Sequence, residues 1–163
     1  MKTKMIVIAL AALFALSLVA PVFADTGYNL IAGQTIDVGD IYVSNDNTNI
    51  FISIAMDPNW EITQGHVAVA TNLEGIPQTK SGNPKVGQFP YKGLLQYTIP
   101  LPNGADAGDK IIIAVHAVVQ GTQGGLYCGQ EETAWGRYCD AGGGTSGDFE
   151  GNNWATYLIY TVT

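Results

Sequence analysis

Apolar and polar residues alternate along most of this chain with a period of two, the spacing of a half-buried strand. The clearest stretch is DIYVSNDNTNIFISIAM, residues 40–56. Two runs rich in Ile, Val, Tyr and Phe flank NDNTN, whose Asn and Asp residues tolerate the left-handed backbone of a hairpin turn. On the return run Ile50, Ile52, Ile54 and Met56 share one face, while Phe51, Ser53 and Ala55 take the other. HVAVAT follows, with Val67 and Val69 opposed to His66, Ala68 and Ala70. LQYTIPL, KIIIAVHAVVQ and NWATYLIYTVT supply further strands. No helical period is sustained over ten residues beyond the first two dozen, and no internal repeat occurs. About eight short, turn-separated strands predict an all-β fold, an antiparallel β-sandwich of immunoglobulin-like or jelly-roll type.

One strand breaks the alternation. From Ile111 to Val119 only His116 interrupts the apolar run. A strand with one wet face would alternate, so this one is expected to be covered on both sides. The cover is either a long loop or a second copy of the chain, and the loop is the more economical choice. Two connections are long enough, residues 72–94 and 121–153, both rich in glycine. Connections beyond about fifteen residues are uncommon in compact domains and usually carry function or disorder.

The first two dozen residues follow a different pattern. Lys2 and Lys4 precede an apolar run from Met5 to Val22, which ends in Pro21 and the small-residue exit VFA. Positive start, greasy core and small exit predict a secretory signal peptide, residues 1–24, cut after Ala24. The alternative is an uncleaved anchor, since the run is about long enough to span a bilayer. After cleavage one domain remains, residues 25–163, with no further membrane span expected. Secretion to the extracellular space or the cell envelope is the expected localisation. Removing the leader takes two of the seven basic residues and leaves five against fourteen acidic ones, a net charge of about −9. Such an acidic surface repels nucleic acid and suits cations, neutral sugars or a basic partner.

Cys128 and Cys139 are the only two cysteines. In an exported protein they are expected to form a disulfide, closing a loop of roughly a dozen residues worth about 3 kcal/mol in chain entropy. Their spacing is wider than the C-x-x-C of redox sites.

Three groups of residues could carry chemistry. His66 and His116 both lie opposite the valine-rich side of their strands, so pairing of those strands would make the imidazoles cross-strand neighbours. With Glu131 or Glu132 as a third ligand they would suit zinc; the plainer reading is two hydrogen-bonded histidines beneath a loop. Asp140, Asp148 and Glu150 offer oxygen ligands for calcium in a glycine-rich loop, although no EF-hand pattern occurs and Asp beside Gly is ordinary turn chemistry. Trp60, Trp135 and Tyr138, with Trp154, Tyr91 and Tyr127, could stack on sugars; the competing reading packs them in the core. No nucleophile elbow, phosphate loop or H-E-x-x-H occurs, so a catalytic role has no motif behind it.

The words AGQTIDVGDIYVSNDNTNIFISI, W-x-I-T-x-x-H-V-A-V-A, IPQTKSGNPKVGQFPY, IIIAVHAVV, ETAWG and FEGNNWATYLIYTV, in that order, resemble an uncharacterised family of exported microbial, notably archaeal, cell-surface domains. The resemblance covers nearly all of residues 25–163 and implies an extracytoplasmic β-sandwich without an assigned activity. The cysteines around ETAWG look like an addition to that pattern. The expectation from the whole chain is a secreted, non-catalytic protein of the cell envelope, with no obligatory cofactor. It would act by surface interaction or assembly, on a cell-surface protein, a glycan or a copy of itself. The alternatives are a carbohydrate-binding module and, behind it, a metal-dependent hydrolase holding zinc or calcium.

Overall fold

The computed structural model describes residues 26–138 and 145–163. The leader, Cys139 and Asp140 therefore lie outside the described residues. Ten strands follow one another: β1 (Thr26–Ala32), β2 (Ile36–Asn45), β3 (Asn49–Met56), β4 (Trp60–Ala70), β5 (Tyr91–Gly93), β6 (Gln96–Pro100), β7 (Lys110–Gly121), β8 (Glu131–Arg137), β9 (Thr145–Asp148) and β10 (Thr156–Thr161). Every pairing between them is antiparallel.

The strands join in one sheet, ordered β5-β4-β7-β8-β1-β2-β3-β6. The first half of β7 pairs with β10 and the second half with β8, while β9 lies on the far side of β10. The two end strands, β5 and β6, are separated in sequence only by Leu94 and Leu95, so the sheet curls until its ends approach. The result is an antiparallel sheet nearly closed into a barrel. Alternation predicts two stacked sheets; the strands instead roll into one. The reason is physical. A period of two says that one face is buried, and both a sandwich and a barrel bury one face.

Local chemistry fixes the β2–β3 hairpin as the sequence predicts. The Asp46 carboxylate accepts hydrogen bonds from the Thr48 and Asn49 amides and the Thr48 hydroxyl, turning the chain between β2 and β3. These donors hold the Asp46 carboxyl below its ordinary pKa. Asn45 beside it is buried and fastens the last strand, for its Oδ1 accepts from the Tyr160 hydroxyl and the Thr163 amide.

The barrel interior holds the main core, including Leu30, Ile41, Ile52, Val67, Ile113, Val115 and Leu158. A second, smaller core lies outside the wall, against β4, β7 and β8. There Ala68, Ala114 and Trp135 pack beneath Ile76 and Phe89 from the 72–90 connection and Phe149 and Ala155 from the 149–155 segment. Two short 3-10 turns, Leu73–Gly75 and Val86–Gln88, shape this cover. Asn83 Oδ1 accepts from the Asn153 amide and ties the two segments together. The run from Ile111 to Val119 is thus shielded on both sides, by loops, as its composition predicts.

The 121–153 connection is not the single loop that its glycines suggest. It contains β8, a full strand of the barrel wall between β7 and β1, as well as β9.

Candidate functional site

Register brings the two histidines together. His66 on β4 and His116 on β7 are direct Cα partners, and their ring centres lie 5.8 Å apart with planes tilted by 51°. On the far side of His116 its partner on β8 is Trp135, whose ring meets the imidazole edge-on at 4.8 Å. On the near side His66 faces Lys92 of β5. The outer wall therefore carries the row Lys92, His66, His116, Trp135. The loop layer closes over one end of this row, leaving His116 only 8% exposed and His66 half-buried.

The electrostatics follow from that placement. Burial, reinforced by the His66 ring beside it, pushes the His116 pKa down to about 4. Burial lowers His66 too, with the Lys92 ammonium acting in the same direction. Both shifts favour the neutral imidazole. The Nδ1 atoms of both are buried and lack a hydrogen-bond partner.

The expected third ligand does not join them. Glu131 pairs with Gln120, four positions along β8 from Trp135. A strand rises about 3.3 Å per residue, which carries Glu131 roughly 13 Å along the wall from the imidazoles. The sequence places the glutamates in a loop folding over the histidines, whereas they begin a strand that runs past them. Among the described residues no three His, Cys, Asp or Glu side chains gather as a metal cluster.

The calcium set is divided as well. Asp140 lies outside the described residues. Asp148 and Glu150 are both exposed and flank the buried Phe149. Glu150 borders a hollow of about 370 Å3 in the loop layer, together with Glu74, Gln78, Thr79 and Lys80.

The aromatic set is mostly interior. Trp60 is 3% exposed and stacks on Tyr127 at 4.9 Å; Trp135 is 6% exposed beneath Phe89 and Phe149. Neither has a face to offer a sugar, so the packing alternative holds for both. Tyr138 is half-buried against the main core, its amide donating to the Ser146 hydroxyl.

Cys128 is exposed and has no disulfide partner among the described residues, since Cys139 lies outside them. The segment between the two cysteines includes the whole of β8. A strand of that length spans about 20 Å, whereas a disulfide needs its Cα atoms within about 7 Å of each other.

A surface that the sequence reading did not single out lies on the opposite wall. Among the described residues no loop layer covers the outer face of β2, β3 and β6. It presents Tyr42, Ser44, Phe51, Ser53, Gln96 and Thr98 around a shallow hollow of about 200 Å3. Leu94 and Leu95 stand exposed at the adjoining β5–β6 corner. Three of the four exposed large hydrophobics among the described residues fall on this side. The odd placement of Tyr42 and Phe51, on the wet side of otherwise apolar-in strands, was the available signal. Joining them required the β2–β3–β6 register. The chain matches no family model, and no curated protein or solved structure proves similar to it.

Proposed function

We propose that this chain is an exported, non-catalytic β-protein of the cell envelope that works by surface interaction or assembly. One observation carries the reading. The wall over the second core is covered by its own loops, while the outer face of β2, β3 and β6 leaves Tyr42 exposed beside Phe51, and Leu94 and Leu95 stand exposed at the β5–β6 corner. Exposed apolar side chains on an acidic exterior support a contact surface. The signal-like residues 1–24 and the resemblance to exported surface domains support the destination. Sedimentation over a range of protein concentration and salt, with pull-down from envelope extract, tests it. Self-association or a retained partner is expected, lost in Tyr42→Ser/Leu94→Ser with the melting temperature unchanged. A strict monomer that retains nothing would defeat the reading.

A second reading, a carbohydrate-binding module, draws on the chemistry of the same hollow. Its lining combines two aromatic rings with hydroxyl and amide groups and no formal charge, a set suited to a neutral glycan. A glycan array, run with and without calcium, separates the two. Binding there, lost on Tyr42→Ala, favours the module; a blank array leaves protein contact. A zinc hydrolase built on His66 and His116 has no third ligand among the described residues to support it.

A further inference from the structure

The geometry points to the His66–His116 pair as a two-nitrogen binding site for one monovalent soft cation, cuprous copper above all. Four observations converge on it. The imidazoles are register partners with ring centres 5.8 Å apart. Two imidazoles sharing one ion through metal–nitrogen bonds of about 2.0–2.1 Å hold their centres roughly 5–6.5 Å apart, depending on the angle at the ion. Both Nδ1 atoms are buried without a partner. With the proton on Nε2, each presents a lone pair that nothing among the described residues uses, and a buried unpartnered nitrogen is costly. Two such atoms on adjacent strands describe a donor set rather than an isolated packing fault. His116 is more than nine-tenths buried.

The charge balance selects the ion. Neutral imidazole is the ligating form. Among the described residues no carboxylate or thiol completes a cluster, and the nearest formal charge in register is the Lys92 ammonium. A divalent ion would enter a site with no compensating anion, beside a cation, with Trp135 and the loop layer limiting water. Each added unit of ionic charge is penalised there by desolvation and by Lys92. Zinc also asks for four tetrahedral ligands, and only two are on offer. Cuprous copper carries a single charge, accepts imidazole nitrogen and is satisfied by two donors on opposite sides.

The test is an anaerobic titration of the folded chain with Cu(I) against a chromophoric Cu(I) chelator, beside a parallel zinc titration. Imidazole 15N resonances are followed throughout. Cys128→Ser/Cys139→Ser runs alongside the native chain, because thiols also take Cu(I). One ion per chain is expected in both forms, with the Nδ1 resonances of His66 and His116 shifting together. Zinc at the same concentration should leave them in place. His66→Gln and His116→Gln should each weaken Cu(I) binding at least about a hundredfold. Lys92→Gln should tighten it. Should His116→Gln fail to fold, the resonances of the unaltered chain and the His66→Gln variant still decide. Uptake that survives His66→Gln but vanishes with the cysteines, Nδ1 resonances unmoved at saturation, or zinc bound equally tightly would each overturn the assignment.

Discussion

At the scale of single residues, buried nitrogen and oxygen atoms control how this protein answers pH and substitution. A histidine in an unfolded chain titrates near 6.5, whereas folded His116 is held at about 4. As pH falls below about 6.5 the unfolded chain binds a proton that folded His116 refuses. The stability it contributes is complete above that value and is lost progressively on the way down to about 4, for a total of about 3 kcal/mol. His66 is lowered by burial and Lys92, so it acts in the same sense. Urea midpoints measured from pH 7 to 4 should fall more steeply for the native chain than for His116→Gln. Parallel curves would show that His116 takes its proton without penalty. Tyr97 poses the complementary case. Its hydroxyl is buried, has no partner and has its pKa pushed up to about 12 by burial. It sits where a side chain on Gly65 would stand, with the Gly93 carbonyl beside it. Tyr97→Phe removes an unsatisfied group and is expected to leave the melting temperature unchanged or higher, while Gly65→Ala overpacks the site at a cost of about 1–3 kcal/mol. A large loss in Tyr97→Phe would mean that the hydroxyl has a partner in solution.

At the scale of elements, legibility tracked local chemistry. The β2–β3 hairpin was readable because Asp46 and the flanking alternation act within a few residues. The double cover of β7 was readable because a strand apolar on both faces has few ways to stay dry. β8 was not. EETAWGR has two charges at its start and a glycine near its end, and strand propensity is weak evidence against such composition. What makes it a strand is tertiary: β7 on one side and β1 on the other supply its hydrogen bonds. The Glu131 ligand reading needs a flexible hoop where a strand stands, whereas the expected staple turns on Cys139, which lies outside the described residues. The consequence can be tested. If β8 keeps the flanking segments extended, Cys128 stays a free thiol in the folded chain. Cys128→Ser should then move the melting temperature by no more than a surface change does, within about 0.5 kcal/mol. Thiol titration of the folded protein and melting with and without reductant would check it. A reductant-sensitive drop comparable to the roughly 3 kcal/mol of a closed loop would restore the staple.

At the scale of the whole molecule, the sequence distinguished neither barrel from sandwich nor one core from two. Both failures have one cause: closure depends on which distant strands meet, and a period of two is silent about partners. Only the fold carries β5 onto β4 and β6 onto β3, and lays the 72–90 connection across β7. The two cores that result are unequal in size and share only the wall between them. The inner one is ringed by strands of which all but the end strands β5 and β6 and the outlying β9 pair with a neighbour on each side. The outer one rests on short 3-10 turns, one isolated bridge between Gln78 and Pro84, and a few loop hydrogen bonds such as Asn153 to Asn83. Segments held by few backbone bonds open at lower free energy than the strands beneath them. Native-state hydrogen exchange should therefore show the amides of 72–90 and 149–155 exchanging well before those of β7, through opening of the outer layer alone. Acid should widen the gap, because lifting that layer hydrates His116 and lets it protonate without unfolding the barrel. Asn83→Ala, which removes the tie between the two loop segments, should speed exchange in both while β7 stays protected. If the outer layer and β7 instead exchange with one common free energy at pH 7 and pH 5, the two cores fold as a single unit. The acid sensitivity of His116 would then act on the whole barrel.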